Sequence, residues 1–206
     1  MQRINFTKFW SRYGGTTEDY NKTPFAKALA RLPVIGPNGP WVAGGAVRRL
    51  VTDIREEADY DFFFANGEQL ATFAKELESN GAVKTSENEM NIAYKIPAAD
   101  KLPELKIQLI RVSYNARLED AIEQFDFSLC KCGFDGTDLV FGEFTLFDLG
   151  RKRLIPDNIT FGVSSIRRMI KYTKQGYTIC SGGLTSFLQQ IADNPAKINS
   201  DIKYID

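Results

Sequence analysis

The stretch that most constrains this chain is Trp41-Val42-Ala43 running into Gly44-Gly45-Ala46-Val47-Arg48, with Asp59-Tyr60-Asp61 downstream and the aromatic run Phe62-Phe63-Phe64 behind it. Three apolar residues suit a short strand, the adjacent glycines let the backbone turn sharply, and Ala46 to Thr52 then reads as a helix. Backbone N–H groups of Gly44 and Gly45, where that helix starts, suit the phosphates of a nucleoside triphosphate. Side chains alternate along a strand, so Asp59 and Asp61 share one face while Tyr60 and Phe62 point to the other. The carboxylates can share one hard cation, and the aromatic pair points toward a core.

The chain contains no histidine. That removes Ser-His and Cys-His catalysis and histidine-bound zinc, and leaves carboxylates to hold a metal. Oxygen ligands of this kind favour Mg²⁺ or Mn²⁺. The three cysteines, Cys130, Cys132 and Cys180, cannot all pair within one chain and do not suggest a secreted disulfide scaffold. Cys130 and Cys132 alternate along an expected strand and read as small core residues.

A Gly-Gly-x-x-Arg turn followed at 15 residues, from Gly44 to Asp59, by Asp-x-Asp resembles the DNA polymerase β-like nucleotidyltransferase superfamily. Within it, the head domain of CCA-adding enzymes and bacterial poly(A) polymerases is most similar. Downstream, Phe125-Asp126-Phe127-Ser128 resembles the second motif of those heads, usually Arg-Arg-Asp-Phe-Thr, with Gln124 and Phe125 standing where two arginines are expected. Ser164-Ser165-Ile166-Arg167, then Lys171-Tyr172 and Gly176-Tyr177, resembles the helix after the head, where an arginine begins a basic ridge; the Asp-Pro that usually precedes it is absent.

The resemblance implies an α+β fold of the polymerase β-like type, a mixed sheet flanked by helices. It also implies a metal-dependent transfer of a nucleoside monophosphate from an NTP to an acceptor hydroxyl, with an RNA 3′ end such as that of a tRNA as acceptor. In that reading Asp59 and Asp61 are the catalytic and metal-binding residues. Gly44, Gly45, Arg48, Asp126, Arg167 and Lys171 surround the nucleotide. Such enzymes often carry a third carboxylate on a later strand, and alternation along Lys106-Ile107-Gln108-Leu109-Ile110 puts Gln108 there, an amide without that charge. Two other readings stand beside this one: transfer to a protein or small-molecule hydroxyl, and a nucleotide-binding or partner-binding module without turnover.

Single residues also have two readings. Asp126 either organises the nucleotide pocket by orienting an arginine or satisfies backbone N–H groups at a strand end. Arg48 either binds phosphate, the favoured role at the start of its helix, or pairs with Asp53 or Glu57. Arg49 stands where the relatives usually have aspartate.

With 43% hydrophobic and 25% charged residues in 206, the chain can bury one good core. N-terminal helices over 1–40, a head over 41–160 and a C-terminal helical segment over 161–206 are expected to form one unit. Lys and Arg total 26, as do Asp and Glu, so no global field draws the protein to a polyanion and any nucleic-acid contact must be local. Arg151-Lys152-Arg153, with Arg167, Arg168, Lys171 and Lys174 on the later helix, are the local candidates. No apolar run is long enough to span a bilayer and the N-terminus has no signal-peptide core, so a cytoplasmic protein is expected.

Helices are expected over Arg3–Tyr13, from Thr23-Pro24, from Glu68 to Ser79, from Leu118 to Gln124, from Ser164 to Gly176 and from Gly183 to Asp193. Strands are expected near 82–85, 91–97 and 105–111, with a hairpin about Asp135-Gly136 flanked by Leu129 to Phe134 and Leu139 to Phe141.

Overall fold

Alternation along the aspartate strand sorts the molecule into two faces of one sheet. The computed structural model describes residues 1–12, 15–52, 59–99, 102–193 and 195–197. Among these, the strands are β1 (Gln2–Asn5), β2 (Trp41–Ala43), β3 (Tyr60–Phe63), β4 (Val83–Glu87), β5 (Asn91–Ile96), β6 (Leu105–Ile110), β7 (Cys132–Phe134) and β8 (Asp138–Phe141). They lie in the order β1-β8-β7-β2-β3-β6-β5-β4. β3 and β6 pair in parallel and the other neighbours run antiparallel, so the sheet is mixed. The α-helices are α1 (Phe6–Arg12), α2 (Thr17–Lys22), α3 (Pro24–Leu29), α4 (Gly45–Leu50), α5 (Gly67–Ser79), α6 (Leu118–Glu123), α7 (Thr145–Gly150), α8 (Gly162–Lys174) and α9 (Ser181–Ala192).

Tyr60 and Phe62 enter the larger core with Val42, Ile107, Leu109 and the Leu70, Phe73 and Leu77 face of α5. The rings of Phe62 and Phe73 lie tilted with centres 4.7 Å apart, and burying a side chain of this size contributes about 1.5–3 kcal/mol. The opposite face carries a smaller core, in which Trp41, Ala43, Phe63 and Val140 meet Leu118, Ala121 and Ile122 of α6. Gly133 lets α6 come close, because a Cβ there would lie 2.7 Å from Leu118. Asp61 pairs across the ladders with Ala43 and with Gln108, so both lie on this second face. Beyond α6 that face continues over β6 and β5 as Gln108, Ala93 and Lys95, all only partly buried.

Local signals place most elements. Thr23 caps α3, its hydroxyl accepting from Ala26 N at 3.2 Å, with Pro24 in the first turn as expected. Asn66 caps α5 through Gln69 N, and Gly81, at φ +86°, follows its end. The hairpin turns at Gly136, at φ +91°.

Four expectations change. The segment from Arg3 does not begin as a helix: residues 2–5 pair with β8 as an edge strand. Arg3 bonds Glu119 at 2.8 Å and Asp138 at 3.2 Å and also reaches Asp135, so strand pairing and ion pairs override the amphipathic pattern until Phe6. Cys130 lies in a 3₁₀ turn over Ser128–Cys130, so it does not share a strand with Cys132, although both thiols are buried. Ser164 does not cap α8; Phe161 occupies that position without a side-chain cap. Helices α2 and α7 were not expected. Tyr13 lies outside the described residues, as do Asp53 and Glu57, the alternative partners for Arg48.

Candidate functional site

Gly44 joins β2 to α4 at φ +78° and ψ −131°, a conformation that a side chain strongly disfavours. Its own N–H donates to Cys132 O at 2.8 Å. Gly44 therefore does not offer a backbone donor to phosphate, contrary to expectation. What it offers is closeness: a Cβ at this position would lie 3.8 Å from Asp61 Oδ2 and 3.6 Å from the Phe125 ring. Gly45 is the first residue of α4.

Asp59 and Asp61 meet on the second face, as expected. Burial, then repulsion from Asp59, pushes the Asp61 carboxyl up to about 7, and Arg168 and Lys171 pull it partly back. Among the described residues none donates a hydrogen bond to the Asp61 carboxylate. Two adjacent oxygen-ligand side chains, one without a donor, suit a hard divalent cation. Among the described residues no group of three or more acidic, cysteine or histidine side chains is placed to hold a metal ion, so the pair has no third such ligand there. Gln108 occupies the expected place, its Nε2 donating to Asp59 Oδ2 at 2.9 Å.

The cations opposite come from α8. Asp126 is buried and accepts from Ser165 Oγ at 2.7 Å and Arg168 Nη1 at 2.9 Å. It thus orients an arginine, the first of its two readings. That arginine is Arg168, whereas the resemblance pointed to Arg167, its neighbour on the helix; both are exposed, and the pairing with Asp126 is what singles out Arg168. Lys171 lies one turn from Arg168 on the same side of α8, and both charges are felt at Asp61. Sequence reasoning named Arg168 only within a basic stretch. The available signal was the buried Asp126, which needs a partner, but which residue of α8 reaches it is a matter of tertiary packing. Phe125, standing where an arginine was expected, packs against Phe63 at 5.5 Å and closes the floor under Gly44. Gln124 bonds Asn115 Oδ1 at 2.6 Å.

Arg48 departs from its favoured role. Its side chain is 4% exposed, with the guanidinium 4.5 Å from the Tyr172 ring centre and 5.9 Å from that of Tyr177. Nη2 donates to Gln175 Oε1 at 3.2 Å, while Nε and Nη1 have no hydrogen-bond partner among the described residues. The residue joins α4 to α8 from inside. Helix α4 turns it inward because its register follows Ala46 and Val47, which are also buried. A buried guanidinium with no carboxylate partner among the described residues is costly to keep, and a well-packed apolar substitute is often neutral or stabilising. Arg48→Met is therefore expected to leave the urea midpoint unchanged or raised, and Arg48→Ala to lower stability by about 2–4 kcal/mol through the cavity it leaves. A strongly destabilised Met variant would show that the charge itself holds α4 to α8.

Together, the sheet order, the strand-turn-helix at Gly44 and the paired aspartates define a nucleotidyltransferase-like fold. Solved structures agree. A Thermotoga maritima CCA-adding enzyme complexed with tRNA matches with TM-score 0.57 and 17% identity over 94% of this chain and 47% of that one. A CCA-adding enzyme in complex with CTP matches with TM-score 0.58, 16% identity and the same two shares. The Bacillus stearothermophilus CCA-adding enzyme in complex with CTP gives 0.55 and 16%, over 84% and 44%. At these identities the likeness is one of fold. Residues 6–152 match the family model described as Gad2, Gabija anti-defense 2 family protein, and the chain belongs to that family. A relative called Gabija anti-defense 2, from Bacillus phage SPbetaL7, is 26% identical over 145 residues, 69% of this chain and 34% of that protein. The chain thus spans about a third of the curated relative and under half of the CCA-adding chains.

Proposed function

We propose that this chain is a metal-dependent nucleotidyltransferase that moves a nucleoside monophosphate from an NTP to an acceptor hydroxyl and releases pyrophosphate. The observation that carries this reading is the Asp59 and Asp61 pair, set beside the Gly44 turn and faced by Arg168 and Lys171. Asp59 and Asp61 would hold Mg²⁺ or Mn²⁺, which when bound lowers the acceptor's pKa and offsets charge on the transferring phosphoryl group. Arg168, held by Asp126, which also accepts from Ser165, and Lys171 take the triphosphate. Gly44 lets the nucleotide approach Asp61 without a side chain in the way.

A groove of about 290 Å³ opens at Asp59, lined also by Gln108, Asn91, Asn88, Ser86 and Lys106 among others. The acceptor hydroxyl enters here in this reading, so donor and acceptor approach the aspartates from chemically different sides. An RNA 3′ end is the acceptor we favour. Its support is the tRNA bound by one structural neighbour and a local basic patch, in which Arg151 and Arg153 lie 5.7 and 5.5 Å from the ring centre of the exposed Phe147. Guanidinium groups beside an accessible ring suit a single-stranded end. A protein hydroxyl is the second reading, favoured by the anti-defense description of the family. Among the described residues no helix is long and apolar enough to cross a membrane.

The test is label transfer from each of four α-³²P nucleoside triphosphates, with Mg²⁺ or Mn²⁺, into total RNA plus cell extract. The Asp59→Ala, Asp61→Ala double variant is the control. Label sensitive to RNase and absent from the control supports the RNA acceptor; label sensitive to protease supports the second reading. No transfer with retained NTP binding would leave a binding module.

Arg168→Ala is expected to raise the KM for NTP about tenfold or more, since a charge-assisted hydrogen bond contributes about 1.5–3 kcal/mol. Arg167→Ala should change it much less. Equal effects from the two would contradict the assignment of Arg168 to the phosphates.

A further inference from the structure

Gln108 has both ends of its amide engaged. Nε2 donates to Asp59 Oδ2 at 2.9 Å, and Oε1 accepts from Asn91 Nδ2 at 2.5 Å. Asn91 is 1% exposed and is itself fixed by Asn88, whose Oδ1 accepts from Asn91 N at 3.1 Å and whose Nδ2 donates to Asn91 Oδ1 at 3.2 Å. The direction of this relay follows from the chemistry of its ends: an amide nitrogen only donates and an ionised carboxylate only accepts, so the residue between them needs one acceptor and one donor. A carboxylate at 108 would repel Asp59, and an aliphatic side chain would leave the Asn91 donor buried and unpaired.

Two consequences follow for a cation. Asp59 Oδ2 is turned toward Gln108, which leaves Oδ1 for a ligand. Gln108 also lies opposite Asp61 in the β3–β6 register, so the position flanking both aspartates carries the positive end of an amide dipole instead of a third negative charge. Arg168 and Lys171 add further positive charge near Asp61. Two carboxylates so placed can balance one divalent ion; a second would meet repulsion from the first and from both α8 cations without a further anionic ligand.

We propose that Gln108 is a positioning residue that fixes Asp59 for cation binding, and that the nucleotide-free protein binds one divalent cation. This rests on the metal-dependent reading above.

The experiment is titration of the full chain with Mn²⁺ alone, the free ion being counted by electron paramagnetic resonance, alongside thermal melts in EDTA. The wild type is expected to take up one Mn²⁺. Gln108→Leu, similar in volume but without the amide, should weaken the affinity about tenfold, in line with loss of a group that orients a metal ligand, and Gln108→Glu should take up a second Mn²⁺. Asn91→Ala, which leaves Gln108 in place but unanchored, should weaken Mn²⁺ in the same direction, and it serves if the Leu variant does not fold. Two Mn²⁺ in the wild type, or unchanged affinity in folded Gln108→Leu and Asn91→Ala, would overturn the inference while leaving the metal-dependent reading in place. No Mn²⁺ bound by folded wild type would remove that reading and the inference with it.

Discussion

Asp61→Asn is expected to abolish nucleotidyl transfer and, in the absence of metal, to raise the melting temperature at pH 8. The two effects have one origin. The folded carboxyl holds its proton up to about pH 7 because burial and Asp59 disfavour its charge, whereas in the unfolded chain it ionises near pH 4, at about 3.9. Between those values the native state binds more protons than the unfolded state, so this residue's contribution to stability falls as pH rises from about 4 to 7 and stays low above it. Asparagine keeps the shape and removes the charge. After allowance for the solvent that reaches a partly buried group, the gain at pH 8 is about 1–3 kcal/mol, or roughly 5 °C for a chain of this size, and it should vanish near pH 4. Adding Mg²⁺ should reverse the order at pH 8, because a ligand that binds only the folded wild type stabilises it by mass action. Transfer should fall about a thousandfold or more, since the bound cation supplies several kcal/mol to the reaction. Calorimetric scans at pH 4 and pH 8, with and without Mg²⁺, decide the matter. If wild type and variant melt together at pH 8 without metal, Asp61 is not a strained carboxylate and its assignment as a metal ligand loses its physical support.

What the sequence made legible follows the range of the forces involved. Asp59 and Asp61 could be placed on one face, and Tyr60 and Phe62 on the other, because strand alternation is local. The Thr23-Pro24 helix start and the Asp135-Gly136 turn are local too, and both appear where expected. Gln108 was placed beside the aspartates by the family resemblance together with strand alternation, and the parallel β3–β6 register puts it opposite Asp61.

Non-local facts were misread or missed. Arg48 follows a glycine turn that faces the site, yet the helix phase set by Ala46 and Val47 carries it into the interior, where Tyr172 and Tyr177 come from a segment more than 120 residues away. Arg167 and Arg168 are adjacent and chemically identical; only the docking of α8 on Asp126 decides between them. Gly44 was read as a donor because glycine turns often present free N–H groups, but the ladder to Cys132 takes this one. The edge strand at Gln2–Asn5 depends on a partner, β8, at the far end of the sheet. In each case the residue type was visible and its partner was not.

Gly44→Ala separates the conformational role of this glycine from its steric one. A Cβ at 44 would make ordinary contacts, at 3.6 Å to Phe125 and 3.8 Å to Asp61 Oδ2, so lack of space does not forbid it. The backbone does: φ +78° with ψ −131° is open to glycine and strained for alanine, at about 1–3 kcal/mol. The variant should therefore fold and melt roughly 2–10 °C lower. Its transfer activity should fall much further, about a hundredfold, for two reasons. Relaxing the strain shifts the turn that sets Gly44 against Asp61, and a methyl group beside the carboxylate lies where the nucleotide and its cation need polar contacts. Gly45→Ala, at the first residue of α4, should cost little stability, because alanine favours a helix over glycine. Melts and turnover for both variants supply the comparison. If Gly44→Ala keeps wild-type turnover at a lowered melting temperature, the turn serves folding alone and the nucleotide does not approach Asp61 across Gly44.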